Sequence, residues 1–184
     1  SSIGREPDAA TTWLHSLERK GFVRRQRRSS LEGESEFAFA HALVRDVSYG
    51  QIPRVRRADL HLRAARWIES LGQDRAEDRA EMLAHHYEAA LELLPDRHSI
   101  RAAVIGYNLG YCRVLTARGR EGLAALYTSL RFLMHRGAEG HTMKASLDLA
   151  FALLETAHAR RAARHATRAL VLAERLADTD AKKN

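Results

Sequence analysis

Cysteine is nearly absent: Cys112 is the single one in 184 residues. That excludes a disulfide framework and a cysteine-rich zinc site. Proline is scarce too, at three residues, so few positions are barred from helix. No apolar run approaches the ~18–20 residues that a membrane-spanning helix needs. The first residues lack a charged-then-apolar signal pattern, so a soluble, cytoplasmic protein is expected. Catalytic signatures are missing as well. There is no Gly-x-x-x-x-Gly-Lys-Ser/Thr phosphate loop, nor a Gly-Lys dipeptide, a Gly-x-Ser-x-Gly or a His-Glu-x-x-His. The sequence therefore predicts a non-enzymatic chain with no cofactor of its own.

Alanine (31), leucine (24) and arginine (26, against four lysines) are abundant, a composition that leans to helix. The net charge is +7. GC-rich coding sequence enriches alanine and arginine together, so basicity alone argues weakly for a nucleic-acid partner. The chain starts at Ser1, an amphipathic helix follows within ten residues, and a polar tail runs from Asp178 to Asn184. A piece of a longer protein is expected.

Asp8, after Pro7, is a plausible N-cap for the first helix. Ala10, Trp13, Leu14 and Leu17 fall on one face of it, and Gly21 supplies a left-handed stop. Two strands follow, Phe22–Arg28 and Glu36–Ala40, around a Ser/Gly turn. Phe37 and Phe39 share a face. The basic first strand is expected to pair with Glu32, Glu34 and Glu36. His41 to about Gly50 reads as a short helix with Leu43, Val44 and Val47 inward, broken at Ile52-Pro53. Arg54–Leu71 reads as a longer helix on Leu60, Ala64, Trp67, Ile68 and Leu71, closed by Gly72. Past the polar stretch 73–78, a helix over 76–94 carries Leu83, Tyr87, Leu91 and Leu94 on one face.

An internal repeat then appears. Tyr107-Asn108-Leu109-Gly110-Tyr111 lies over Leu147-Asp148-Leu149-Ala150-Phe151 at an offset of 40 residues without gaps. The same offset sets Gly122 over Ala162, Ser129 over Ala169 and Leu130 over Leu170. Small residues at fixed places are what close helix crossing requires. Leu109-Gly110, Gly122 and Ser129-Leu130, with their counterparts, resemble the small positions of the tetratricopeptide repeat. The period is about six residues longer than the usual 34, and Arg113 stands at a position rich in aromatics. Tyr107, Tyr111, Leu147 and Phe151 fall on first helices of the pairs. They are candidates to line a partner groove or, equally, to form inter-repeat core.

The run Phe37-Ala38-Phe39-Ala40-His41-Ala42-Leu43-Val44-Arg45-Asp46 resembles the winged-helix segment of the STAND signalling ATPases. Together with His41–Arg57 and Ala80–Tyr87 it looks most like actinobacterial members, which join an AAA-type ATPase to helical repeats and often to an adenylate cyclase or transcription-regulator domain. The resemblance implies that His41 contacts the β-phosphate of ADP in a parent protein and helps lock its resting state. An imidazole can donate to an anion held at a helix N-terminus. Ala42 departs from the family's Asp, which puts an acid-dependent part of that lock in doubt. The bland reading makes His41 a helix-start residue satisfied by backbone.

Arg24, Arg25, Arg27 and Arg28 on the wing, with Arg54, Arg56 and Arg57, raise DNA or phosphate contact as an alternative. Against it stand the facing glutamates and a net charge of only +4 in residues 1–72. No metal site is expected. His85 and His86 are adjacent on a helix and point about 100° apart, and His158 and His165 have no third ligand. The predicted fold is mainly α: a partial winged helix with a two-stranded hairpin over 1–72, its first helices lying upstream, then about 2.5 tetratricopeptide-like helix pairs over 73–184. The expected role is a regulatory piece of an ATP-binding signalling protein, partnered by an upstream ATPase domain and a protein or peptide effector. The alternatives are a DNA-binding winged-helix regulator with a repeat sensor and a plain interaction scaffold.

Overall fold

The computed structural model describes residues 9–31, 33–71 and 76–181. The expected roles of Asp8 as N-cap, Glu32 as wing partner and Gly72 as helix stop lie outside the described residues. Among the described residues the fold is mainly α with one two-stranded antiparallel sheet. The order is α1 (Ala9–Arg19), β1 (Val23–Arg25), β2 (Phe37–Phe39), α2 (Ala42–Gly50), α3 (Arg54–Ser70), α4 (Ala76–Leu93), α5 (Ile100–Leu115), α6 (Gly119–His135), α7 (Glu139–Glu155) and α8 (Ala159–Ala181). Where a polar tail from Asp178 was expected, α8 continues to Ala181.

Two compact units divide after Pro53, not at residue 72. The reason lies in what α3 touches. Arg54 donates to the Glu92 and Leu93 carbonyls at the end of α4, at 2.6 and 3.2 Å. Tyr87 on α4 donates to Glu69 on α3 at 2.6 Å, and Arg101 on α5 pairs with Asp59. Helix α3 thus completes a first hairpin with α4, giving three helix pairs in place of 2.5.

In the first unit, Gly21 adopts φ +73°. The Phe22 amide donates to the Leu17 carbonyl and the Gly21 amide to the Glu18 carbonyl, the paired bonds of a Schellman stop. The strands are only three residues long, with Val23 opposite Phe39 and Arg25 opposite Phe37. Among the described residues, Glu34 and Glu36 fall beyond the paired strand residues and neither forms the expected pair with a strand arginine. Glu36 instead accepts from the Ser30 amide at 2.7 Å and from the Ser30 hydroxyl, which holds its carboxyl below the usual range. The helix faces expected to point inward do not: Trp13 is 71% and Leu43 74% exposed. Among the described residues of this unit only Val23 and Leu31 are buried; a short hairpin and a nine-residue helix cover too little.

The second unit holds two layers of core. Ala58, Leu62 and Ala65 of α3 meet Tyr87 and Ala90 of α4 and Ala102, Ile105, Leu109 and Cys112 of α5. Of the expected stripe Leu60, Ala64, Trp67, Ile68 and Leu71, Ile68 is buried as expected, but Leu60 and Trp67 are exposed. The opposite side of α5 gives Tyr107 and Val114 to a second cluster with Leu126, Leu130, Leu133, Ala145, Leu149, Leu153 and Ala162. Each fully buried leucine there contributes roughly 1.5–3 kcal/mol.

The 40-residue repeat is built into this layer. A Cβ on Gly122 would lie 2.5 Å from the Gly110 carbonyl oxygen and 2.8 Å from the Val114 nitrogen, so α5 and α6 touch backbone to backbone. Ala150 and Ala162, one repeat on, are both buried. Even the loops repeat. Ala117 and Ala157 take φ of 59° and 61°. Before each, a threonine hydroxyl donates back to a helix carbonyl: Thr116 to Cys112 at 3.1 Å and Thr156 to Ala152 at 2.9 Å.

Candidate functional site

His41 occupies the N-cap of α2 in extended conformation, φ −132° and ψ 132°, and its side chain makes no capping hydrogen bond. The ring is exposed. The Arg45 amide instead donates to the His41 carbonyl at 3.2 Å. Backbone geometry therefore starts the helix, and the imidazole is left exposed at its N-terminus. Arg24, Arg25, Arg27 and Arg28 are all exposed and line one open recess together with Gln26. Of these, Arg25 is tied down: its guanidinium donates to Ser35 at 3.0 Å and its amide to Glu18 at 3.1 Å.

In the second unit the four repeat candidates separate. Tyr107 is 2% exposed and belongs to the core, the second of its two expected placements, not to a groove. Lys144 of α7 sits 5.0 Å over its ring and pairs with Asp148 at 2.7 Å. Burial pulls Lys144 down, but Asp148 outweighs it and holds the amine above its usual value. Tyr111 is half-buried against the same core. Leu147 and Phe151, at the matching positions on α7, are 44% and 50% exposed.

The pattern extends beyond those four. Val114 is buried and Leu154, its counterpart, is 54% exposed; Leu130 is 2% exposed and Leu170, its counterpart, 60%. Positions that α7 helps to cover on α5 and α6 are thus bare on α7 and α8. The sequence offset marks these positions as equivalent, but burial is needed to show that one set is covered and the other open. Arg113 pairs with Glu88 of α4 at 2.7 Å, an ion pair between neighbouring helices.

The histidines also sort differently from expectation. His85 is exposed and His86 half-buried on α4, and His61 from α3 lies beside both. Burial, then the neighbouring imidazoles, push His86 down to about 4; burial and His85 also lower His61. His61 has no sequence signal, because it lies a whole helix away from the pair it joins. No family model, curated protein or solved structure matches the chain. Among the described residues, no helix is long and apolar enough to cross a membrane.

Proposed function

We propose that this chain is a non-catalytic regulatory module of an ATP-binding signalling protein of the STAND kind. In this reading its helix pairs bind a protein effector and its first unit senses the nucleotide. One observation carries the effector-binding part: the α7–α8 face is apolar and bare at the same repeat positions that are buried on α5–α6. The internal repeat also says what fits there. An amphipathic helix of the effector lies on α7–α8 as α7 lies on α5–α6, presenting small residues and leucines as Ala145, Leu149 and Ala152 do.

The nucleotide-sensing part rests on the resemblance around His41 and on its exposed ring at the start of α2. ADP would belong to the ATPase domain, with His41 reaching its β-phosphate. Effector binding and ADP contact then bias opposite states of one equilibrium, so each weakens the other. In the ATPase-bearing protein, His41→Ala should release ADP during purification and raise basal output. ADP content and output equal to the parent's would exclude the switch role.

A second reading draws on the exposed arginines of the wing recess. A winged-helix regulator would bind duplex DNA through them, with affinity falling steeply as salt rises. Binding with such a slope, lost in Arg27→Ala/Arg28→Ala, would favour that reading over the effector module.

A further inference from the structure

His61, His85 and His86 converge on one point between α3 and α4. The Nδ1 atoms of His61 and His86 are 3.0 Å apart. Ring centroids are 5.2 Å apart for His61 and His86, 6.0 Å for His61 and His85, and 5.3 Å for His85 and His86. One nitrogen from each ring lies within 4.8 Å of the other two. Although His85 and His86 are adjacent on one helix, their rings lie close enough for one nitrogen of each to face the same point. The third ring, supplied by α3, completes a triangle with them.

We infer that these three imidazoles form a binding site for a borderline divalent cation of the Zn2+ class, bridging α3 and α4. A tetrahedral ion with Zn–N bonds of about 2.0–2.1 Å holds its ligand nitrogens about 3.3 Å apart. The His61–His86 pair is already close to that spacing. The third nitrogen closes the remaining ~1.5 Å by rotation of the His85 ring, which is exposed and not locked by packing. Among the described residues no carboxylate or thiolate joins the group. An all-imidazole donor set selects Zn2+, Co2+, Ni2+ or Cu2+ over Mg2+ and Ca2+, which prefer oxygen. Three protein ligands leave a fourth position for water on the exposed side.

The protons balance without a net change. The neutral pair shares one Nδ1–H, donated from one ring to the other. Coordination at both Nδ1 atoms moves that proton to the Nε2 of the same ring by exchange with water. The ion then replaces one hydrogen bond by three coordinate bonds and ties the first helix pair together.

The test uses the whole chain, without a histidine tag and stripped by chelator. Zn2+ is titrated at neutral pH by calorimetry, and Co2+ binding is followed by its visible absorption. One ion per chain is expected, with a Co2+ spectrum of the intense tetrahedral type and a rise in Tm at saturating Zn2+. His85→Ala removes an exposed side chain and should keep the helical circular dichroism. It should cost more than about 100-fold in affinity, since loss of a group merely supporting a ligand already costs 10–100-fold, and should abolish the Tm shift. His61→Gln should do the same, whereas His158→Ala should change nothing. Absence of saturable binding in the parent chain, or unchanged affinity in His85→Ala or His61→Gln, would overturn the site.

Discussion

Cys112 lies in the core among Tyr87, Ile105 and Leu109, and burial pushes its thiol up to about 12. Near neutral pH such a thiol stays protonated, and the thiolate is the reactive form. The native chain should therefore resist iodoacetamide and be alkylated once guanidinium unfolds it, as read by mass spectrometry. Rapid stoichiometric labelling of the native protein would contradict this packing. Ala117 is the other residue with a sharp expectation. An L-residue in the left-handed region costs roughly 1–2 kcal/mol, and nothing but loop geometry holds Ala117 there. Ala117→Gly should raise the urea midpoint by an amount equivalent to about 1 kcal/mol, and a fall would show that the alanine methyl is needed. The core placement of Cys112 is legible from its helix beside Tyr111. The Thr-Ala pair is also visible in the sequence at the 40-residue offset, but only the dihedrals reveal that both alanines sit at positive φ.

Helix against helix, the decisive contact is Gly110 on Gly122. Alanine is usually the better helix former by about 1 kcal/mol. At Gly122 the added methyl meets backbone atoms that cannot move aside, whereas at Gly140 it meets nothing within 4 Å. Gly122→Ala should therefore destabilise by about 1–3 kcal/mol, and Gly140→Ala should stabilise by up to about 1 kcal/mol. Thermal or urea melts of the two variants check the pair, and equal effects would remove the close crossing. The small-residue spacing made this crossing legible in advance. The face of α3 was not, because apolar residues occur on two sides of that helix. Leu60, Ala64 and Trp67 run along one side and Ala58, Leu62 and Ala65 along another, with Ile68, read with the first set, buried as well. The contacts to α4 and α5 choose the second, and those partners lie 20–50 residues away in sequence. The faces of α1 and α2 illustrate the converse: periodicity showed where the apolar residues align, yet exposed Trp13 and Leu43 show that alignment alone does not supply a covering element.

Over the whole molecule, two units emerge where two were expected, but the first helix pair of the array begins at Arg54. The long-range bonds of Arg54, Asp59 and Glu69 set that boundary, and such bonds leave no local trace in the chain. His41 was legible as the start of a helix, and it stands at the N-cap of α2. On the proposed reading, the bare α7–α8 face receives a helix. A labelled peptide copying residues 139–155, the helix that covers the equivalent face one repeat earlier, is the direct probe. Its fluorescence anisotropy on titration with the intact chain should saturate, weakly, since a 17-residue helix must order on binding. Leu147→Glu/Phe151→Glu should abolish that saturation while leaving the circular dichroism unchanged. No saturation with the parent chain, or equal binding by the double variant, would contradict the account.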